Sequence, residues 1–177
     1  MKYERINVVG TSGSGKSTLA REIASRLDIP YIELDRLFWK ANWTETTDDE
    51  FFPKLRDALS TSRWILDGNY DRTRQIKWAQ VEMVVWLDLP LYLVFARIVA
   101  RAITRICTGK ELWAGNKETF KKTFLSRDSI ILWSLTTFAH NRKRYVALSD
   151  NDQYRHVQFV RLRSTKEAGQ FLINLNS

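Results

Sequence analysis

The chain is punctuated by short, nearly continuous apolar runs. Arg5 to Val9, Tyr31 to Leu34, Trp64 to Leu66, Met83 to Leu87 and Val157 to Leu162 each read as a strand. They do not alternate apolar with polar, which predicts a parallel sheet covered on both faces. Segments of helical spacing lie between them. Lys16 to Leu27 puts Leu19, Ile23 and Leu27 on one side and stops before Pro30. Thr47-x-x-Glu50 and Ser164-x-x-Glu167 have the form of capping boxes, one opening a helix to about Ser60, the other a last helix. Leu91 to Cys107 is the best-patterned helix: Leu91, Val94, Phe95, Ile98, Val99, Ala102, Ile103 and Ile106 follow the spacing of one buried face. Arg97, Arg101 and Arg105 recur every four residues, in a line on a different face. That line is either a solvated face or a rake for phosphate. Ser129 to Ala139 is apolar but too short to span a membrane and reads as a core helix. Strands alternating with helices predict an α/β doubly wound domain.

A length of 177 residues fits a single domain, 1–177, with a real core, and the 44% hydrophobic content excludes a disordered or fibrous chain. The single Cys107 excludes an internal disulfide framework, and His140 and His156 leave little for a histidine-based metal centre. All three read as structural. Met1 to Asn7 does not read as a secretory signal. The most apolar stretch, Val81 to Ala100, is broken by Glu82, Asp88, Pro90 and Arg97. A soluble, cytoplasmic protein without a membrane partner is expected, as monomer or homodimer. The net charge of +8 is unevenly placed: Arg97 to Arg144 holds eleven Lys or Arg against Glu111, Glu118 and Asp128, and the rest of the chain is neutral. Such a segment calls for an anionic partner, with phosphate, nucleic acid and an acidic membrane surface all open on charge alone.

Chemistry enters with Gly10-Thr-Ser-Gly-Ser-Gly15-Lys16-Ser17, which satisfies G-x-x-x-x-G-K-[ST] between a predicted strand and a predicted helix. Gly10, Ser12, Gly13, Ser14, Gly15, Lys16, Ser17 and Thr18 form the expected phosphate-binding set. Loop amides and the helix N-terminus point at the anion. Lys16 reaches the β- and γ-phosphates of ATP, and the Ser17 hydroxyl binds Mg²⁺. A plain connecting turn would leave Lys16 where the helix dipole disfavours it. GTPase motifs fail: Asp67-Gly68-Asn69-Tyr70 is not D-x-x-G, and Asn116-Lys117-Glu118-Thr119 lacks the last Asp of N-K-x-D. A small phosphotransferase remains.

At this point the chain resembles the adenylate-kinase-like nucleoside and nucleotide kinases over nearly its whole length. Ile65-Leu66-Asp67-Gly68 with Arg72-Thr73 looks like the family's D-G-F-P-R-T segment. Leu87-Asp88-Leu89-Pro90, then Arg97 and Arg101, matches D-x-P-x6-R-x3-R. The resemblance implies that Arg97 packs on the ATP base, that Arg101 and Arg105 contact phosphates at the start of a mobile lid, and that Arg163 and Ser164 lie where backbone lines the adenine pocket. A closer resemblance is to small kinase-like proteins often labelled DNA topology modulation proteins, which share Leu34-Asp35-x-x-Phe38-Trp39, Trp43, Asp67-Gly68-Asn69-Tyr70 and Arg161-Leu-Arg-Ser164. The chain departs from adenylate kinases at Asn69-Tyr70, which replaces F-P, and at Glu33-Leu34-Asp35-Arg36, which replaces their acceptor-side signature. An Asp there is similar to that of hydroxyl-phosphorylating shikimate and gluconate kinases.

The expectation is a P-loop NTPase fold. Five parallel strands in order 2-3-1-4-5 are sandwiched by helices, with an acceptor cap near 36–62 and a basic lid near 104–126. The expected activity moves the γ-phosphoryl group of ATP to a small acceptor, nucleotide- or nucleoside-like. A small hydroxyl acceptor and a nucleic-acid-binding ATPase are the alternatives, nucleic acid being possible but not favoured. Lys16, Asp35, Arg101 and Arg105 are the catalytic candidates. Asp35, Trp39, Asp67 and Arg72 are the acceptor-side candidates, and Asp67 also holds Mg²⁺ through water. Blander readings stand beside these. Asp35 can cap a helix or pair with Arg36 or Lys40, Asp67-Gly68 can be a turn, Arg72 and Arg74 can be solvated, and Phe38, Trp39, Trp43, Phe51 and Phe52 can be the cap's own core. Trp113 and Phe120 among lysines suit either a lid over triphosphate or single-stranded nucleic acid.

Overall fold

The structure is a computed structural model that describes residues 3–109, 111–117 and 130–175, the last stretch with side chains from 136 onward. Five strands, β1 (Arg5–Gly10), β2 (Tyr31–Glu33), β3 (Trp64–Asp67), β4 (Met83–Leu87) and β5 (Gln158–Leu162), form one parallel sheet in the order β2-β3-β1-β4-β5. This is the expected P-loop topology. The helices are α1 (Lys16–Leu27), α2 (Leu34–Phe38), α3 (Asp48–Ala58), α4 (Arg74–Trp78), α5 (Leu91–Thr108), α6 (Ile130–Ser149) and α7 (Thr165–Asn174).

Apolar runs work here because both sheet faces are covered. Ile6, Val8, Ile65, Val85 and Leu87 meet Leu19 and Ile23 of α1 and Val94 and Ile98 of α5. Val9, Trp64, Leu66, Val84 and Trp86 meet Phe51 and Leu55 of α3, Trp78 of α4, and Tyr145 and Leu148 of α6. Fully burying each such side chain contributes about 1.5–3 kcal/mol. One polar group is accommodated in this layer: Asn7, fully buried, donates to the Leu66 carbonyl at 3.0 Å and accepts from the Trp78 indole at 2.9 Å. It ties β1 to the end of β3.

Several local expectations change. Leu34 opens α2 instead of closing β2, so Asp35 lies in a helix's first turn. Thr47 makes no side-chain cap, and Glu50 turns instead to Lys40, at 2.5 Å. The second capping box forms: the Glu167 amide donates to Ser164 Oγ at 3.1 Å, while the Glu167 carboxylate accepts from the Arg163 amide at 2.8 Å. The buried stripe of α5 is narrower than expected; Val94, Ile98 and Ala102 are buried, but Leu91, Phe95 and Ile103 are exposed. The described part of the apolar segment, 130–139, belongs to a helix that runs on to Ser149, with Tyr145 and Leu148 buried beyond the basic Arg142–Arg144 run. Among the described residues, no helix is long and apolar enough to cross a membrane.

Candidate active site

Parallel pairing brings the functional positions to one edge. Glu33 pairs with Asp67, Asp67 with Val8, and Gly10 with Leu87. The carboxyl ends of the inner strands therefore open together onto a cleft of about 1980 Å³. Pockets for one small ligand run to about 1,000 Å³ at most, so there is room for two.

The phosphate loop occupies one end. The Ser14 amide turns back to the Thr11 carbonyl, and the first α1 amide to find a partner is that of Leu19, on Gly15, both at 3.0 Å. The amides of Lys16, Ser17 and Thr18 begin the helix and have no intrahelical acceptor. Gly13 is required twice over: its φ is +81°, and a Cβ there would lie 2.4 Å from Ile98 Cγ1. Helix α5 thus presses directly on the loop, and its arginines follow. Arg97 donates to the Ser14 carbonyl at 2.9 Å, Arg101 donates to Ser12 Oγ at 3.0 Å, and Arg105 lines the cleft. The rake faces the cradle rather than solvent. Lys16 also lines the cleft and forms no ion pair among the described residues.

Asp67 is buried and accepts from the Tyr31 hydroxyl through Oδ2 at 2.9 Å. Its Oδ1 is buried with no partner. An orphaned carboxylate oxygen at the carboxyl end of β3 fits the water shell of a Mg²⁺ ion. Among the described residues, no three His, Cys, Asp or Glu side chains gather as a self-sufficient metal cluster.

The other end is built on α2 and the turn after β3. Asp35 accepts from the Tyr70 hydroxyl at 2.5 Å. Burial raises its pKa, opposed by the nearby Lys16 charge, the Tyr70 hydrogen bond and Arg101, and assisted by Asp67. Burial likewise raises Glu33, opposed first by the nearby Trp113 side chain. The aromatic segment splits between its two readings. Phe51 is core, Phe38 and Trp39 belong to the core packing and also line the cleft, and Trp43 lines the cleft. Arg72 lines the cleft but is already engaged, 3.0 Å from Asp48 and stacked on Phe38 at 4.8 Å. Arg74 pairs with Asp71 at 2.7 Å.

Two seven-residue loops meet over this end, one closed by a Trp39–Glu45 bridge, the other by a Glu111–Lys117 bridge. Asn116 joins them: it accepts from the Trp43 amide at 2.8 Å and donates to the Lys40 carbonyl at 2.9 Å. The near-match to a guanine-reading motif is therefore a buried clamp between cap and lid. Lys110 and residues 118–126 of the expected lid, Phe120 included, lie outside the described residues.

Arg163 and Ser164 fall at the start of α7, where Arg163 is exposed and Ser164 caps the helix. The cleft wall there is formed by Thr165, Ala168, Gly169 and Leu172. Sequence reasoning missed Asn69, whose side chain accepts from the Gly10 amide at 3.0 Å and donates to the Gly10 carbonyl at 2.8 Å. It missed Tyr70 as the partner of Asp35, and Lys77, which donates to the Asn69 carbonyl from a fully buried site. It also gave no role to Asp88 and Arg161, which pair at 2.5 Å. Their recurrence in the motifs Leu87–Pro90 and Arg161–Ser164 was the available signal.

Residues 6–111, more than half of the chain, match the family described as AAA domain. The chain belongs to the AAA-domain family. Beside this AAA-domain match, it is 28% identical over 130 residues, 72% of each chain, to "Uncharacterized protein YqaC" of Bacillus subtilis (strain 168). Among solved structures it shares its fold with a gluconokinase from Sinorhizobium meliloti 1021, at 19% identity over 97% of this chain and 93% of that one, TM-score 0.53. It shares it also with a shikimate kinase from Acinetobacter baumannii in complex with shikimate, at 15% identity over 99% and 92%, TM-score 0.61. The AAA-domain chain thus has the fold of small kinase-like P-loop proteins.

Proposed function

We propose that the protein transfers the γ-phosphoryl group of ATP to a hydroxyl of a small acceptor. One observation carries this reading: a single cleft joins the phosphate loop and its arginines to a buried carboxylate, Asp35, that feels the charge of Lys16. The solved neighbours named gluconokinase and shikimate kinase support the same class of activity. Of the acceptors open to the sequence, a nucleoside monophosphate loses support, because Arg72 and Arg74 already have carboxylate partners. A hydroxyl, on a nucleoside or another small ring, gains it.

In this mechanism Ser17 and, through water, Asp67 hold Mg²⁺, which supplies charge neutralisation at the phosphates when bound. Lys16, Arg101 and Arg105 complement the charge on the phosphoryl oxygens. Arg97 props the loop at Ser14. Asp35 receives the acceptor's hydroxyl proton on Oδ2, since Tyr70 holds Oδ1. The acceptor oxygen bonds to the γ-phosphorus, the bond to the β–γ bridging oxygen breaks, and ADP leaves. Contact between the cap and lid loops excludes water from the acceptor end. Residues 1–177 act as one unit in this reading. The test is acceptor-stimulated ADP release across nucleosides, nucleoside monophosphates, sugars and sugar acids. Lys16→Ala is expected to abolish it with the circular dichroism spectrum unchanged; unaltered turnover in that variant rejects the site.

A further inference from the structure

The acceptor end of the cleft is walled by indoles and carboxylates. Trp39, Trp43 and Trp113 stand in series, with ring centroids 5.5 and 6.4 Å apart and successive planes near perpendicular. All three line the cleft, as do Glu33, Asp35 and Glu45. The Trp113 side chain lies close enough to Glu33 to favour its charged form. The Glu45 charge reaches Tyr70, which in turn holds Asp35.

Lys16 and Arg101 reach Asp35 from the phosphate-loop side, while the other cations near this end are engaged by neighbours. Arg72 faces Asp48 and Phe38. Arg144 is 3.8 Å from Asp71 and stacks on Tyr145 at 5.1 Å. Arg21 stacks on Tyr31 at 5.4 Å. Lys16 and Arg97 serve the phosphate loop. Glu33 already feels the like charges of Asp67 and Asp35, and Asp35 that of Asp67, beside the cost of their burial, so a phosphate or carboxylate on the acceptor would add a further like charge there. A flat ring gains contact with the indoles, and an O–H or N–H donor finds carboxylate oxygens that strengthen the bond. An amine also gains from the indole faces.

We infer that this end of the cleft selects an acceptor without an anionic group: a hydroxyl-bearing ring, neutral or amine-substituted, packed on Trp39, Trp43 and Trp113 and donating to Glu33 and Glu45. The inference rests on the phosphotransfer reading only in naming that molecule the acceptor. The selectivity itself is a binding property and is tested without turnover.

The experiment titrates the full chain, free of ATP and Mg²⁺, with matched pairs followed by calorimetry and tryptophan fluorescence. The pairs are thymidine and thymidine monophosphate, glucose and gluconate, and glucosamine and glucosamine 6-phosphate. At least one uncharged or cationic member is expected to bind about tenfold or more tightly than its anionic partner. Glu33→Gln combined with Glu45→Gln is expected to narrow that ratio. Trp43→Ala is expected to remove the binding, which locates it here and not on the phosphate loop. Should Trp43→Ala unfold the protein, the glutamine variants carry the location alone. The inference is overturned if the anionic member binds as well or better in every pair, or if no member of any pair binds in the millimolar range. The transfer reading fails separately: an uncharged ligand that binds but is never phosphorylated when ATP and Mg²⁺ are added defeats the kinase assignment and leaves the selectivity intact.

Discussion

Lys77 sits on α4 with its ammonium nitrogen against the Asn69 carbonyl and 3.5 Å from that of Tyr70, and the residue is 1% exposed. Among the described residues it forms no ion pair with a carboxylate. Burial lowers its pKa from 10.5 to about 7; Arg144 and Arg74 push in the same direction and Asp71 opposes. A base whose folded pKa lies below its unfolded value binds more protons when unfolded, so stability rises with pH between the two values. Below about pH 7 both states are charged and the full cost of about 5 kcal/mol is present; it is relieved by about 1.4 kcal/mol per pH unit up to about pH 10. Lys77→Met removes the titration and one hydrogen bond, the latter a constant of about 1 kcal/mol. Urea unfolding of both proteins from about pH 6 to about pH 9 reads the difference. Wild type is expected to gain about 3 kcal/mol on the variant between about pH 7 and about pH 9, with parallel curves below that window. Curves that stay parallel throughout would refute the assignment of a neutral, buried amine.

Two further expectations come from packing and charge. Gly13→Ala is expected to lower stability by about 2 kcal/mol or more and to abolish ATP binding measured by calorimetry, because the new methyl meets both Ile98 and the Val94 carbonyl. Adding Ile98→Ala removes only part of the clash, so recovery of full affinity in the double variant would contradict the backbone argument. Asp88→Ala strands the guanidinium of Arg161, which donates to it at 2.5 Å, and that of Arg142, at 3.2 Å. Since Arg142 is half exposed, the cost is expected near 2 kcal/mol rather than the full buried-pair value, read as a lower urea midpoint. A midpoint within error of wild type would mean the pair contributes nothing.

The strands and the phosphate loop were legible because both are local in sequence: apolar runs, a glycine-rich turn, a helix start; the order of the strands followed from the resemblance to P-loop kinases. The arginine row was legible as a period, and its direction became visible only once Val94 and Ile98 were seen beneath Gly13. Asp35 was legible as a candidate, yet its hydrogen bond comes from Tyr70, which the turn after β3 brings back to it. The same holds for Asn69 and Gly10, joined by pairing of strands that are distant along the chain. The helix read from Ser129 to Ala139 stopped where the apolar run ends; the buried Asn141, Tyr145 and Leu148 keep helical spacing beyond it, through Arg142-Lys143-Arg144. Lys77 left no trace at all, since a lysine between Ile76 and Trp78 has no pattern that distinguishes burial from exposure. Thr47-x-x-Glu50 misled for a simple reason: a lysine within reach competed for the glutamate.

The Asn69 side chain clasps both polar backbone groups of Gly10, and Tyr145 donates to the same amide oxygen at 3.2 Å. The two working ends of the cleft are therefore soldered at a single carboxamide. Anyone grafting a foreign turn after the third strand, in order to reshape the cleft, would loosen the Gly10 end of the phosphate loop unless that carboxamide travelled with the graft. Such a graft would also have to keep Tyr70, which holds Asp35.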